Sequence, residues 1–269
     1  STASARATLP PVYRVRKRMM SNPETAAIIL AAGQGTRMLS ATPKVLHPIA
    51  GRSMLAHVLA LGDALSVSRR VVVVAPDMAE VEAAALAFAS DVRIAVQRQQ
   101  LGTGDAVKAA RAAMADFAGT ALILYADTPL LRPQTLQLML EARAGGAAIA
   151  VLGFRPDDPG QYGRLVVNPH SGLEAIVEFK DATAGQRGIG LCNSGVMAVD
   201  GALLFDLLDQ VRNQNATREY YLTDIVAIAR ARGLRCAVSE AAADEVLGVN
   251  SRVELAQAEA NLQQRLRRD

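Results

Sequence analysis

LAAGQGTRMLSATPK, residues 30–44, opens on the last residue of a short apolar run, Ala26-Ala27-Ile28-Ile29-Leu30. Such a run bounded by a glycine-rich stretch reads as a buried strand. Gly33, Gly35 and Thr36 then let the backbone turn tightly with its amides facing one way, which makes an anion cradle. Arg37 and Lys44 add two permanent cations on the same loop. The group expected there therefore carries several negative charges, most simply a triphosphate.

Two common phosphate loops do not fit this stretch. A P-loop needs glycine directly before its lysine, and Lys44 follows Pro43. The dinucleotide fingerprint needs a third glycine where Met38 stands, and an acidic residue about 20 positions later at a strand end.

With 269 residues the chain can bury a substantial core, and 51% hydrophobic content without tryptophan suits an Ala, Leu and Val core of the α/β kind. No segment approaches the roughly 18 uninterrupted apolar residues of a membrane span. The pI near 9.1 suggests nucleic-acid binding only until the charges are located. Arg6, Arg14, Arg16, Lys17 and Arg18 fall within residues 1–20, which hold no acid, so the rest of the chain nets −2 against +3 for the whole. A basic body is absent, and no nucleic-acid partner is expected.

Residues 1–22 are read as a disordered basic extension or vector remnant, ahead of a targeting signal, because Met19 and Met20 stand just before SNPETAAIIL. Cys192 and Cys236 lie on apolar runs, as reduced buried thiols of a cytoplasmic protein do. His47, His57 and His170 are scattered, without the spacing of a metal site or a hydrolytic triad.

Apolar runs alternating with helical stretches predict β-α units and a Rossmann-like, mostly parallel sheet flanked by helices. Strands are expected at 26–30, 70–75, 92–96, 120–126 and 147–153, with helices near 53–64, 78–89, 104–115 and 133–143. Residues 153–190 change texture: Gly, Pro and Asp separate RLVVN and LEAIVEF, as in a β-hairpin laid over the sheet's edge or mouth. A strand near 191–199, helices near 201–212 and 222–232, and a strand at 235–239 follow. The catalytic domain is taken as 23–250. Residues 251–269 form a terminal helix capped by Ser251, with Val253, Leu255, Leu262 and Leu266 as its apolar stripe.

Asp127 ends the buried run LILYADTP, at a strand's carboxyl end. It either caps the following turn or holds magnesium against phosphate oxygens. Asn250, in LGVNSR, is the second candidate oxygen donor, or else a turn residue before Ser251. In QRQQLGTGDAVKAA, Gly102, Thr103 and Gly104 precede a helix; they are a flexible helix start or, with Gln97, a base-contacting backbone. Gly163, Glu178 and Asn193 are ordinary turn and strand-end residues singly, and together could ring a sugar with hydrogen-bonding groups. NATREYYLTD is assigned capping and packing only.

In order along the chain stand LAAGQGTRM, PKVLHPIAG, QLGTGDA, LYADTPLL, YGR, VEFKDA, CNSG, EYYLTD and GVNSR. With these, residues 26 to about 265 resemble the bacterial N-acetylglucosamine-1-phosphate uridyltransferases. The resemblance implies the nucleotide-diphospho-sugar transferase fold and the transfer of a uridylyl group. A phosphate oxygen of N-acetylglucosamine 1-phosphate attacks the α-phosphorus of UTP, pyrophosphate leaves, and UDP-N-acetylglucosamine for cell-wall and lipopolysaccharide precursors results.

Carried over, Leu30, Ala31, Ala32 and Gly33 with Gln97, Gly102 and Thr103 hold the uridine. Arg37 and Lys44 neutralise the triphosphate, and Asp127 and Asn250 bind magnesium. Tyr125, Ala126 and Asp127 stand for the family's YGD, with Ala126 adding a methyl group to that motif. Gly163, Glu178 and Asn193 bind the amino sugar. Asp105 and Phe179 each replace a histidine common in the family. The family's other half is a β-helix acetyltransferase whose hexapeptide repeats do not occur here. The chain is accordingly expected to be a truncated or stand-alone uridyltransferase, without acetyltransferase activity, monomeric or weakly oligomeric. Two alternatives are a nucleotidyltransferase for another sugar phosphate or base, and a non-catalytic nucleotide-binding homologue, which retention of Arg37, Lys44, Asp127 and Asn250 disfavours.

Overall fold

A computed structural model describes residues 24–170 and 172–268. The expected basic extension lies outside the described residues. The elements run β1 (Thr25–Leu30), β2 (Pro48–Ile49), β3 (Arg52–Ser53), α1 (Met54–Ala64), β4 (Arg69–Val74), α2 (Ala79–Phe88), β5 (Val92–Val96), α3 (Thr103–Ala109), β6 (Thr120–Tyr125) and α4 (Pro133–Ala144). They continue with β7 (Ile149–Phe154), β8 (Arg164–Asn168), β9 (Gly172–Val177), α5 (Ala184–Arg187), β10 (Cys192–Asp200), α6 (Gly201–Asp209), α7 (Asp224–Ala231), β11 (Cys236–Ala241) and α8 (Arg252–Leu266).

The main sheet has the order β11-β7-β10-β6-β1-β4-β5. β1 is parallel to β4 and β6, β4 to β5, and β11 to β7, whereas β10 runs antiparallel to both β6 and β7. Alternate residues of the buried strands feed two core layers. Ile28, Val71, Val73 and Ile123 face one side with the α6 and α7 leucines and isoleucine; Ile29, Val72, Leu122 and Leu124 face the other with α1. The chain builds outward from β1 to β4 and β5, then returns to lay β6 on β1's other flank. The crevice of such a sheet opens at the carboxyl ends of the two strands where that order reverses. LAAGQGTRM leaves β1 there, and Tyr125-Ala126-Asp127 leaves β6 beside it.

The β8–β9 hairpin joins the sheet through a single pairing of Arg164 with Cys192 on β10. Two expectations are corrected. The helix expected over 104–115 ends at Ala109, after which the chain continues as successive turns, with Asp116 at a positive φ of 60°. On α8 the packed stripe is Leu255, Ala258 and Leu262, set against Ile49, Met54, Leu130 and Val249. Val253 is 81% exposed and Leu266 57% exposed. Val253 lies two residues, about 200° of helix turn, from Leu255, so the two cannot share a face.

Candidate active site

Gly35 adopts φ +62°, and a Cβ there would sit 2.4 Å from the Lys44 Cβ. The signature loop, residues 30–44, thus needs glycine twice over at this point, for its left-handed backbone and for the passage of the lysine. Gly33 is different: its φ is not positive, and a Cβ would meet nothing within 4 Å, because the residue borders open cleft. The Lys44 side chain, only 9% exposed, runs inward from the short turn Lys44–Leu46. Its ammonium donates to Asp127 Oδ2 at 2.5 Å and to Asn250 Oδ1 at 2.9 Å.

Asn250 reaches Asp127 across 123 residues through two local devices. The Val249 amide donates to the Asp127 carbonyl at 2.9 Å, tying the segment before α8 to the turn after β6. Ser251 and Glu254 form the cap of α8: the Ser251 hydroxyl accepts from the Glu254 amide, and Glu254 Oε2 accepts from the Asn250 amide at 2.7 Å. The cap therefore fixes the backbone that carries the Asn250 side chain. Two oxygens converging on one ammonium form a donor set suited to a hard cation, with Lys44 standing where such a cation fits. Among the described residues no group of three His, Cys, Asp or Glu could hold a metal, so any ion here must draw its other ligands from substrate and water.

Two cavities flank this centre. One of about 600 Å³ is walled by Gly33, Gln34, Gly35, Ser40–Val45, Ala75–Met78, Arg98 and Gln100. The other, about 310 Å³, is lined by Leu30, Ala31, Ala32, Gly33, Lys44, Gln97, Gln100, Gly102, Thr103, Tyr125, Asp127 and Glu219, among others. Gly102 has φ +114°, and a Cβ there would lie 2.7 Å from the Tyr220 carbonyl oxygen. The GTG loop is thus pressed backbone to backbone on EYYLTD, with Gly104 N donating to Tyr220 O and Tyr220 N to Leu101 O. Thr103 Oγ1 accepts from Leu222 N at 3.1 Å.

Arg37 is exposed on the turn Thr36–Met38 and lies outside the walls of both cavities; the structure does not bring it to Lys44. Ala126 is also placed away from the cleft. Its amide bonds Leu30 O and its methyl is fully buried in the core layer containing Ile29 and Leu124. Successive residues leaving a strand point to opposite faces, so Tyr125 and Asp127 line the cavity and the Ala126 side chain cannot.

Gly163, Glu178 and Asn193 do meet. A Cβ on Gly163 would touch the Glu178 carboxylate at 3.3 Å, and the Asn193 amide donates to Gly163 O at 2.8 Å. Asn193 Oδ1 accepts from Gly195 N, which leaves its Nδ2 hydrogens as donors. Thr223 Oγ1 donates to Glu178 Oε1 at 3.1 Å. Burial pushes the Glu178 carboxyl up, the Thr223 bond opposes this, and Asp224, Asp181 and Glu219 add to it. Tyr125 stands between cavity and trio, its ring filling the space a Cβ on Gly195 would take. Burial, then the Asp127 and Glu178 charges, raise its phenol far above the ordinary value, so the hydroxyl stays protonated at neutral pH and can donate. The loop before β8 is held by the buried Arg164, which donates to the carbonyls of Pro159, Gly160, Tyr162 and Arg187. Phe179 lies under the guanidinium groups of Arg187 at 4.5 Å and Arg164 at 5.6 Å.

Over residues 27–191 the chain matches the MobA-like NTP transferase domain. The chain belongs to this NTP transferase family. Similar proteins include the bifunctional protein GlmU of Rhodospirillum rubrum, 61% identical over 246 residues that cover 91% of this chain and 54% of that protein. The bifunctional protein GlmU of Maricaulis maris is 56% identical over 242 residues, covering 90% and 53%. The chain therefore spans about half the length of the curated relatives it matches. A solved structure titled a putative glucose-1-phosphate thymidylyltransferase from Bacillus anthracis, in complex with a sucrose, shares the fold. It has a TM-score of 0.71 at 18% identity, over 88% of this chain and 94% of that one.

Four contacts of this NTP transferase domain escape a reading of its sequence. Gln100 Nε2 donates to Ala32 O at 2.8 Å and so braces the signature loop. Thr223 orients Glu178, and Glu219 borders both the 310 Å³ cavity and the pocket beside Glu178. The Tyr220 backbone supports the GTG loop. EYYLTD, expected only to cap and pack, carries three of the four. Its Glu and Thr are unremarkable in a linear reading, and only a close look at why GTG needs two glycines would have pointed to a backbone lying against them.

Proposed function

We propose that the protein is a uridylyltransferase that makes UDP-N-acetylglucosamine and pyrophosphate from UTP and N-acetylglucosamine 1-phosphate, with magnesium as its cofactor. The observation that carries this reading is the meeting of Lys44, Asp127 and Asn250 between the two cavities and beside the Glu178 trio. No protein nucleophile is required, because a sugar phosphate is already ionised at neutral pH. The oxygen of the sugar phosphate forms a bond to the α-phosphorus, and the bond from that phosphorus to the bridging oxygen breaks, with its electron pair leaving on pyrophosphate.

Asp127 Oδ2 and Asn250 Oδ1 would hold the magnesium ion; when bound, it would neutralise charge on the phosphate oxygens. The Lys44 ammonium would serve the same phosphates, and Gly33, Gln34 and Gly35 wall the cradle. Gln97 and the GTG backbone face the uracil. The Tyr125 hydroxyl, Asn193 Nδ2 and Glu178 suit the hydroxyl and acetamido groups of the amino sugar. Its site of action is read as cytoplasmic, where the nucleotide and sugar phosphate substrates of this reading would be met; among the described residues no helix is long and apolar enough to cross a membrane.

A pyrophosphate-release assay across four nucleotides and several sugar phosphates tests this reading. Release is expected with UTP and N-acetylglucosamine 1-phosphate in the presence of magnesium. Its absence with that pair, or faster release with another pair, overturns the assignment.

A further inference from the structure

Gln97 lies one residue beyond β5, is 5% exposed, and is anchored by its own amide, which donates to Val74 O at 2.8 Å. Its side chain has one NH2 group with two hydrogens and one carbonyl oxygen. The nitrogen donates to Gly102 O at 3.1 Å and to Asp105 Oδ2 at 2.9 Å. Both partners are acceptors only. Flipping the amide would turn its oxygen against a carbonyl and a carboxylate and lose both bonds, so the orientation follows from the network.

Neither partner can move aside easily. Gly102 O also accepts the Ala106 amide at 3.1 Å within the first turn of α3, and the Gly102 backbone is pressed on Tyr220. Asp105 sits in that same first turn, where a negative charge complements the helix dipole. With both hydrogens engaged, the only polar atom Gln97 can present to the 310 Å³ cavity is Oε1, an acceptor.

We propose that Asp105 is a positioning residue that fixes the Gln97 amide with its oxygen toward the base, and so selects a base with a ring N–H there, as in uracil, against one with a bare ring nitrogen, as in cytosine. The inference rests on the reading of this cavity as the nucleobase site. It gives a role to Asp105, a residue of GTGDA that the transfer chemistry does not use. A donor meeting Oε1 is matched, whereas a lone pair meeting it is repelled and leaves a buried acceptor unpaired.

Asp105→Asn keeps the shape but can offer NH2 to Gln97 where the carboxylate could only accept, which leaves the Gly102 carbonyl as the one group opposing the flipped amide; Asp105→Ala removes one of the two holds. In both variants the ratio of kcat/KM for UTP to that for CTP is expected to fall by roughly tenfold or more, chiefly through KM for the nucleotide. Equal losses with both nucleotides, or an unchanged ratio with UTP turnover intact, overturn the role of Asp105 and leave the uridylyltransferase reading standing. No turnover of UTP by the wild-type protein overturns both. Side-chain amide hydrogen exchange in the wild-type protein needs no variant at Asp105. Slow exchange of both Gln97 NH2 hydrogens is expected, and exchange at the rate of exposed glutamines overturns the lock.

Discussion

Lys44→Ala is expected to move two properties in opposite directions. The Lys44 ammonium lies 2.5 Å from Asp127 Oδ2 and 2.9 Å from Asn250 Oδ1, the two oxygens proposed to hold magnesium. A divalent ion must displace it. The competing interaction is one charged hydrogen bond and one to an amide oxygen, with Lys44 9% and Asp127 21% exposed, so it is worth about 1–3 kcal/mol. Its removal should tighten divalent-ion binding by about 5- to 150-fold at 1.4 kcal/mol per tenfold. The same deletion strips a cation from the developing charge at phosphorus, and loss of one such contact slows turnover by about 10²–10³-fold.

Titration of the free protein with Mn²⁺, followed by electron paramagnetic resonance, reads the first effect, and pyrophosphate release reads the second. In metal-free buffer the variant is also expected to lose about 1–3 kcal/mol of stability, recovered on adding the ion, because Asp127 is left without its partner. Mn²⁺ affinity equal to or weaker than wild type, or turnover within threefold of it, would refute the exchange of lysine for metal at this site.

Glu178→Gln should raise the melting temperature at pH 8 while raising KM for the sugar phosphate. Burial raises the Glu178 carboxyl above its unfolded value, so the folded state binds that proton more tightly, and the stability it contributes at low pH is lost as pH rises through the raised value. Glutamine does not titrate, so the gain over wild type should vanish on acidification below the ordinary carboxylate range. Constant-pH melts across that range check the sign, at roughly 2–4 °C per kcal/mol. Gly35→Ala is expected to cost about 1–2 kcal/mol for its left-handed backbone and to displace Lys44, which would lie 2.4 Å from the new methyl. Gly33→Ala has open space and should keep its stability while KM for UTP rises; a destabilised Gly33→Ala refutes the distinction. Cys192 and Cys236 are buried, the Cys236 thiol pushed up to about 11 by burial, so iodoacetamide at pH 8 should label neither until the protein unfolds.

Much of the architecture was legible because it rests on local chemistry. The runs Ala26–Leu30 and Thr120–Tyr125 have no polar residue to turn toward water along most of their length, so they become central strands covered on both faces. Ser251 announces the start of α8 as its cap, accepting from the Glu254 amide. The antiparallel direction of β10 and the end of α3 at Ala109 were not legible, since each depends on what the segment packs against. Spacing also could not show that the residues of the transferred YAD motif divide between cleft and core, with Ala126 facing the core; a strand's period of two settles that only once its faces are known.

The sequence by itself determined the glycine turn after β1, the oxygen-bearing residues Asp127 and Asn250 at a strand end and a helix start, and the family, because each is a short pattern complete within a few residues. Tertiary structure alone decided that Lys44 bridges Asp127 and Asn250, that Thr223 orients Glu178, that Arg37 stands apart from the cavities, and that Asp105 fixes the face of Gln97. These depend on which side chains meet across up to 206 residues of chain, and on which atoms are left unpaired when they do. Buried donors and acceptors must find partners within the packed interior, and linear spacing carries no record of which partners they take.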